Sequence, residues 1–210
     1  NAYRRILLRA GEAGTAVTVV KPGDAFCLGP ELTAQVLAPK PRTVRAYMEL
    51  VEAAYASAGQ EAAVTELLAK LDAASNQTSM LLRFETGKAV FLAAADSCPR
   101  EWGEVPSFLL ENGNVLKLPH HGQIDSISEQ FMRNMPLEYV ITTASSDRRY
   151  NSANPQVYQS LTQWRAPHPP KFLFSDERSY PPYFSQPDGF QAITLKIDSG
   201  GITPEFIKNT

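Results

Sequence analysis

SMLLRFETGKAVFLAAAD, residues 79–96, carries the clearest indication of the fold. Two apolar runs, 80–84 and 89–94, flank the short TGK turn, and this pattern is typical of a β-hairpin. The second run is almost uniformly apolar, which predicts a strand buried on both faces inside a layered sandwich. The predicted strand delivers Asp96 at its end.

Two segments with different hydrophobic patterns precede the hairpin. Residues 15–39 alternate apolar and polar side chains around a PGD turn, which predicts a β-meander. Residues 42–74 instead place apolar side chains at helical spacing, with a break near SAGQ. We interpret them as a helical insertion of two amphipathic helices that serves packing or acts as a lid, with no direct part in chemistry.

Strands and helices alternate after the hairpin. We predict helices around 102–110, at 126–132 and at 155–164, and strands at 114–119, 138–144 and 171–174. Pro155 suits the first turn of the helix at 155–164, with Asn154 or Ser152 near its cap. The segment FQAITLKI, 190–197, is predicted to close the sheet as its last strand. This alternation indicates the α/β class.

Composition limits the class of protein. The chain has 210 residues, 43% hydrophobic and 20% charged, which suits one folded domain. Its net charge of −2 excludes a uniformly basic nucleic-acid binder, although a local basic groove stays open. No apolar run reaches the roughly 20 residues of a membrane helix, and no signal peptide pattern stands at the start, so we expect a soluble protein, cytoplasmic or exported. Cys27 and Cys98 are predicted to be reduced thiols.

Polar side chains follow three consecutive predicted strands. Asp96 comes after the hairpin, His120 and His121 follow the strand VLKLP, and the next loop holds Asp147 and Asn154. Imidazole and carboxylate groups that converge on one rim are donors for a divalent ion such as zinc or manganese. Such an ion lowers the pKa of its bound water and polarises an ester or phosphodiester. Two alternatives stay open: Asp96 as a helix cap before Pro99, and histidines with only a structural role.

The order of these motifs resembles the second half of a metallo-β-lactamase-fold domain, in particular the ComEC-like branch of bacterial DNA-uptake channels and freestanding hydrolases. Asn76 and Ser79 match the N-x-x-S element of that branch, Asp96 matches the acidic residue of its G-D dipeptide, and residues 120–122 match its H-H-G element. The resemblance covers most of residues 1–210. It implies an αββα sandwich, of which this chain would be the C-terminal half with 42–74 inserted.

The resemblance also implies roles for single residues. Asp96 and His120 would bind one or two zinc ions, with manganese as the other choice, and His120 and His121 would be catalytic. Asn76 and Ser79 would support these groups by hydrogen bonds.

The loop after the predicted strand 138–144 is expected to bind the substrate. Asn154 occupies the place of the family's loop histidine, and Arg149, beside Arg148, offers a guanidinium group for a phosphate or carboxylate. The resemblance implies attack of water on a phosphodiester or similar ester. Arg149 would make the substrate anionic, either a small molecule or a nucleic-acid-like chain.

Four departures from the family pattern accompany these matches. Ala95 replaces the glycine before the aspartate, Gln123 replaces a serine, Asn154 replaces a histidine, and the H-x-H-x-D-H signature is absent. The remaining histidine, His168, lies among prolines and is interpreted as a loop residue.

Two hypotheses account for the missing signature. In the first, this chain is the C-terminal half of a domain and pairs tightly with the missing N-terminal half. The abrupt start at NAYRRILLRAG favours this hypothesis. The second is a metal-free, degenerate binding or scaffold module on the same fold.

Overall fold

The computed structural model describes residues 2–144, 149–176 and 179–208. Its longer helices and strands alternate in the second half of the chain, as an α/β fold requires. In chain order they are α1 (Ala2–Glu12), β1 (Ala25–Gly29), β2 (Leu32–Ala38), α2 (Pro41–Ala56), α3 (Glu61–Ser75), β3 (Leu81–Glu85), β4 (Val90–Ala93), α4 (Ser107–Glu111), β5 (Val115–Lys117), α5 (Glu129–Met132), β6 (Tyr139–Thr142), α6 (Pro155–Trp164), β7 (Lys171–Phe174), β8 (Phe190–Asp198) and β9 (Gly201–Lys208).

Strands β1 to β7 form one mixed sheet in chain order. β1 to β4 are antiparallel neighbours, and the predicted hairpin is confirmed, with Leu82 opposite Ala93 and Phe84 opposite Phe91. β4 to β7 are parallel. Parallel neighbours need crossover segments between them, and α4, α5 and α6 lie in these connections. The α/β class predicted from the sequence is therefore confirmed.

One face of the sheet packs against helix α6. Leu92, Leu116 and Val140 occupy matching positions on neighbouring strands and are fully buried. Val157 and Leu161 of α6 are also fully buried, and the ring of Tyr158 meets the edge of Phe172 with a centroid separation of 5.2 Å. The main core therefore lies between the parallel strands and α6.

The opposite face is covered by a separate hairpin of β8 and β9. The prediction that 190–197 closes the main sheet is wrong, because among the described strands β8 pairs only with β9. Alternation along β8 gives the reason: Ile193, Leu195 and Ile197 pack against the core while their neighbours are exposed, so the strand has one apolar face to lay on the sheet. The hydroxyl of Tyr139 donates to the carbonyl of Ile202 across this junction, at 3.0 Å.

Two covering strands leave part of that face open. Val90 and Leu92 of β4 are buried, but Phe91 and Ala93 on its other side are only half-buried. The prediction of a strand buried on both faces therefore holds for one face. A second layer narrower than the seven-stranded sheet explains the difference.

Several element boundaries differ from the sequence prediction. Residues 15–20 form no strand, and the meander begins only at Ala25. The predicted helix at 102–110 is divided into a 3₁₀ turn, Pro99–Trp102, and α4, because Pro106 disfavours a helical residue before it. The helix at 126–132 shrinks to α5. The helices at 42–74, 155–164 and the strand at 171–174 are confirmed.

The two inserted helices pack on each other and contain no buried residue. They meet the rest of the chain through the 3₁₀ turn Asn76–Thr78 and through ion pairs of Lys40 and Arg42 with Glu104. None of the described helices combines the length and the apolarity needed to cross a bilayer.

Candidate functional site

The parallel strands bring their carboxyl ends to one edge of the sheet. Asp96 follows β4, His120 and His121 follow β5, and Thr143 follows β6. The Ala95 carbonyl joins the first two loops, since it accepts from the His120 backbone N–H at 3.1 Å and from Lys117 Nζ at 2.7 Å. Burial lowers the pKa of Lys117, and the nearby Asp96 carboxylate opposes this shift. The structure thus brings the predicted ends of two strands together, those that carry Asp96 and the two histidines.

Asp96 does not cap a helix. The 3₁₀ turn that follows it begins after Cys98, which occupies the N-cap position without a side-chain cap bond. Asp96 instead projects from a turn in which Ala95 has a φ of 42°. This left-handed conformation strains an alanine and suits a glycine.

The histidine pair lies in a left-handed stretch of backbone. The φ values of His120, His121 and Gly122 are 45°, 54° and 73°. Non-glycine residues in this region each cost roughly 1 kcal/mol or more, and such residues concentrate at functional sites. The turn directs the two imidazoles to different partners.

His121 is oriented toward Asp96. Its Nδ1 contacts the backbone carbonyl of Thr143, and because a carbonyl only accepts, Nδ1 carries the hydrogen. The other ring nitrogen, Nε2, faces outward, 3.6 Å from Asp96 Oδ1. This separation is too long for a hydrogen bond, but it is close to the roughly 3.3 Å between two ligands of a tetrahedral ion with bonds of about 2.0–2.1 Å.

His120 is held by a different set of groups. Its Nδ1 lies 3.1 and 3.2 Å from the two carboxylate oxygens of Asp125, so Nδ1 donates to this acceptor. Its Nε2 faces the side-chain amides of Asn76, at 3.1 Å, and Gln123, at 2.9 Å. The sequence predicted Asp96 and His120 as a pair of metal ligands, whereas the structure pairs Asp96 with His121.

Asp125 and Cys98 are neighbours of His120 that the sequence did not predict. The Cys98 Sγ lies 3.3 Å from Asp125 Oδ2 and is buried. Burial, and then the nearby Asp125 carboxylate, raise the pKa of the Cys98 thiol to about 12, so the thiol donates to this carboxylate. Both cysteines are free in the structure. The signal that could have found these residues is proximity in sequence: each lies within five positions of a residue already singled out.

The supporting residues fall into two groups. Asn76 contacts His120 directly, as predicted for a residue that supports the site. Ser79 is half-buried, and its backbone N–H donates to the Asn76 carbonyl at 3.1 Å, which closes the turn that presents Asn76. Within the described chain, no hydrogen bond of the Ser79 side chain to the histidines is found.

Asn154 is a helix cap. Its Oδ1 accepts from the Gln156 backbone N–H at 3.0 Å, and its own backbone N–H donates to the Gly122 carbonyl at 2.9 Å. The sequence assigned Asn154 to the substrate and also placed it near the cap of the helix, and the cap is what the structure shows. Asp147 and Arg148 lie outside the described residues.

An open cleft of about 550 Å³ runs along the same edge of the sheet. His121, Arg149 and Asp176 line it, together with Gln123, Tyr150, Ser152 and Ser175. Arg149 therefore shares a cavity with one of the two histidines, as expected from the sequence. Comparisons with family models, with curated proteins and with solved structures found no significant match to this chain.

Proposed function

We propose that the protein is a metal-dependent hydrolase of the metallo-β-lactamase fold that directs water onto a phosphodiester or similar ester. One observation carries the proposal. His121 turns Nε2 toward Asp96 Oδ1, 3.6 Å away, while Thr143 fixes its other nitrogen. A hydrogen-bonded ring nitrogen opposite the coordinating one is the usual arrangement of a histidine metal ligand.

The donor types fit a zinc or manganese ion, and their number leaves room for more ligands. Zinc takes three or four protein ligands, and only Asp96 and His121 converge at this point among the described residues. The further donors would come from an N-terminal half-domain with the H-x-H-x-D-H signature. When bound, the ion supplies a water of lowered pKa and polarises the ester.

A partly open face of the sheet supports the proposal of such a half-domain. Leu82, Phe84 and Phe91 lie at paired positions on β3 and β4 and are only half-buried on the face that β8 and β9 cover in part. Apolar side chains in neighbouring strands of one sheet face favour burial against a second layer. This surface supports the αββα arrangement as part of the proposal.

The cleft supports an anionic substrate. Arg149 lines it together with Ser152 and Ser175, and the carboxylate-bearing Asp176 lines it as well. A guanidinium group and hydroxyls suit a phosphate or carboxylate. Because the net charge of the chain is −2, attraction of a nucleic-acid-like or small anionic substrate would be local to this cleft.

Metal content and hydrolysis test the proposal together. The protein, with any amino-terminal portion of its polypeptide included, is loaded with zinc or manganese, and bound metal is measured with hydrolysis of bis(4-nitrophenyl) phosphate. We expect Asp96→Asn and His121→Ala each to lower metal affinity by more than about 10-fold and to abolish hydrolysis. His168→Ala is the matched control, since His168 is exposed in a loop outside the cleft.

The second candidate is a metal-free binding or scaffold module on the same fold. The small number of converging donors in the described part of the chain favours it. A protein that does not hydrolyse the ester, and whose metal content and stability are the same after Asp96→Asn and His121→Ala, would replace the hydrolase with this module.

A further inference from the structure

A second group of metal-binding side chains lies beside the Asp96–His121 pair. Cys98, His120 and Asp125 place one sulfur, one ring nitrogen and one carboxylate oxygen within 4.8 Å of one another. The group is assembled from the turn after β4 and the turns after β5. Cys98 is buried, and the other two residues are half-buried. We infer that these three side chains form a binding site for a zinc-class ion, separate from the site of the proposed hydrolase.

The distances suit three ligands of one tetrahedral ion. Asp125 Oδ2 lies 3.3 Å from Cys98 Sγ and 3.2 Å from His120 Nδ1. Bonds of about 2.3 Å to sulfur and about 2.0–2.1 Å to nitrogen and oxygen give ligand separations of roughly 3.3–3.6 Å. Two edges of the triangle are thus close to the required length without a change of backbone, and small side-chain rotations adjust the rest.

The chemistry of the donors selects the ion. A thiolate is a soft ligand, imidazole is intermediate and carboxylate is hard, and this mixture favours zinc or cobalt(II) over calcium or magnesium. Three protein ligands leave a fourth position for water. The Asp96–His121 pair has no sulfur ligand, which makes the two sites distinguishable by spectroscopy.

Binding of the ion rearranges two protons. The Cys98 S–H bond breaks as the sulfur–metal bond forms, and this proton leaves to solvent. The His120 ring keeps one proton, which moves from Nδ1 to Nε2 as Nδ1 becomes the ligand. The amides of Asn76 and Gln123, both within 3.1 Å of Nε2, can then present an oxygen to this new N–H after rotation by half a turn. The surroundings therefore satisfy both forms of the histidine.

The left-handed backbone adds a second reason to assign a site here. His120 has a φ of 45°, and from this turn its Nδ1 faces Asp125. The backbone N–H of His120 is fixed to the Ala95 carbonyl, three positions before Cys98. The three donors are therefore held in place by the two connected loops, as a metal site requires.

Cobalt(II) titration of the metal-free protein tests the inference. Cobalt(II) bound to a thiolate gives an intense near-ultraviolet charge-transfer band that nitrogen and oxygen ligands do not give. In the wild type we expect the band to saturate at about one cobalt(II) ion per protein, with release of about one proton per ion at neutral pH. Cys98→Ser should lack the band. Zinc added in excess should displace the cobalt and remove the band.

Matched variants separate this site from the proposed hydrolase. Cys27→Ser retains the band, since Cys27 is an exposed thiol on β1. Asp96→Asn and His121→Ala also retain it, although they abolish the proposed hydrolysis. His120→Asn and Asp125→Asn, checked for native circular dichroism, lower the cobalt affinity by more than about 10-fold. Absence of the band in the folded wild type, or its persistence in Cys98→Ser, would overturn the inference.

Discussion

At the scale of the residue, the site depends on backbone conformations that most side chains avoid. Ala95, His120, His121 and Gly122 all have positive φ, and together they connect the loops after β4 and β5. Gly122 is the residue with the least freedom to change. A Cβ added there would lie 3.2 Å from the Tyr158 hydroxyl and 3.3 Å from Thr142 Cγ2, in a buried position.

We therefore expect Gly122→Ala to lower the free energy of unfolding by roughly 2 kcal/mol, from the left-handed φ and from the close contacts. Urea denaturation measures the change. Gly103→Ala is the control, because Gly103 has a φ of −56° and a Cβ added there would have nothing within 4 Å. Equal stability of the two variants would show that the histidine turn is not constrained as described.

At the scale of the element, helix α6 connects the histidine turn with the core. Its cap residue, Asn154, pairs through its backbone N–H with the Gly122 carbonyl, and Ala153 pairs with the His121 carbonyl at 2.9 Å in the same way. One turn further, Tyr158 donates or accepts a hydrogen bond with Thr142 at the end of β6, at 2.9 Å. These hydrogen bonds attach the histidine turn to α6 and to the end of β6.

Replacement of Asn154 separates the cap from a role in substrate binding. Asn154→Ala should lower the free energy of unfolding by about 1 kcal/mol, because the Gln156 N–H loses its acceptor. Asn154→Ser should retain most of that stability, since serine also caps helices. Thermal denaturation compares the three proteins. A loss of substrate affinity in Asn154→Ser at unchanged stability would instead support the substrate role inferred from the sequence.

At the scale of the whole molecule, the sheet has two unequal covers. Helix α6 buries one face, and the narrow hairpin of β8 and β9 lies on part of the other. The hydrogen bond from Tyr139 to the Ile202 carbonyl is a polar tie inside this second junction, and the tyrosine is buried. The position of the hairpin therefore depends on apolar contacts and on this one buried donor.

Tyr139→Phe should lower the free energy of unfolding by about 1 kcal/mol, because the Ile202 carbonyl stays buried without its donor. Hydrogen exchange should show the loss of protection first in β8 and β9, since the main sheet keeps its own hydrogen bonds. Tyr55→Phe, an exposed position on α2, should change neither measurement. Uniform destabilisation of the whole chain would mean that the hairpin does not open separately.

The sequence by itself determined the hairpin of β3 and β4, the α/β alternation, and the positions of Asp96, His120 and His121 at strand ends. These features follow from local periodicity, since a strand repeats every two residues and a helix about every 3.6. The cap at Asn154 was also readable, because Asn before Pro155 marks a helix start.

Only the tertiary structure decided which histidine faces Asp96, that Cys98 and Asp125 join His120, and that β8 leaves the main sheet. Which of the two histidines faces Asp96 depends on the left-handed φ angles of these adjacent residues. The sequence pattern around them does not distinguish one histidine from the other. Likewise, alternation along β8 fixes one apolar face but not the partner that it covers. The physical reason is that a chain encodes the direction of each side chain locally, whereas the distance between two side chains is set by how separate strands and turns pack.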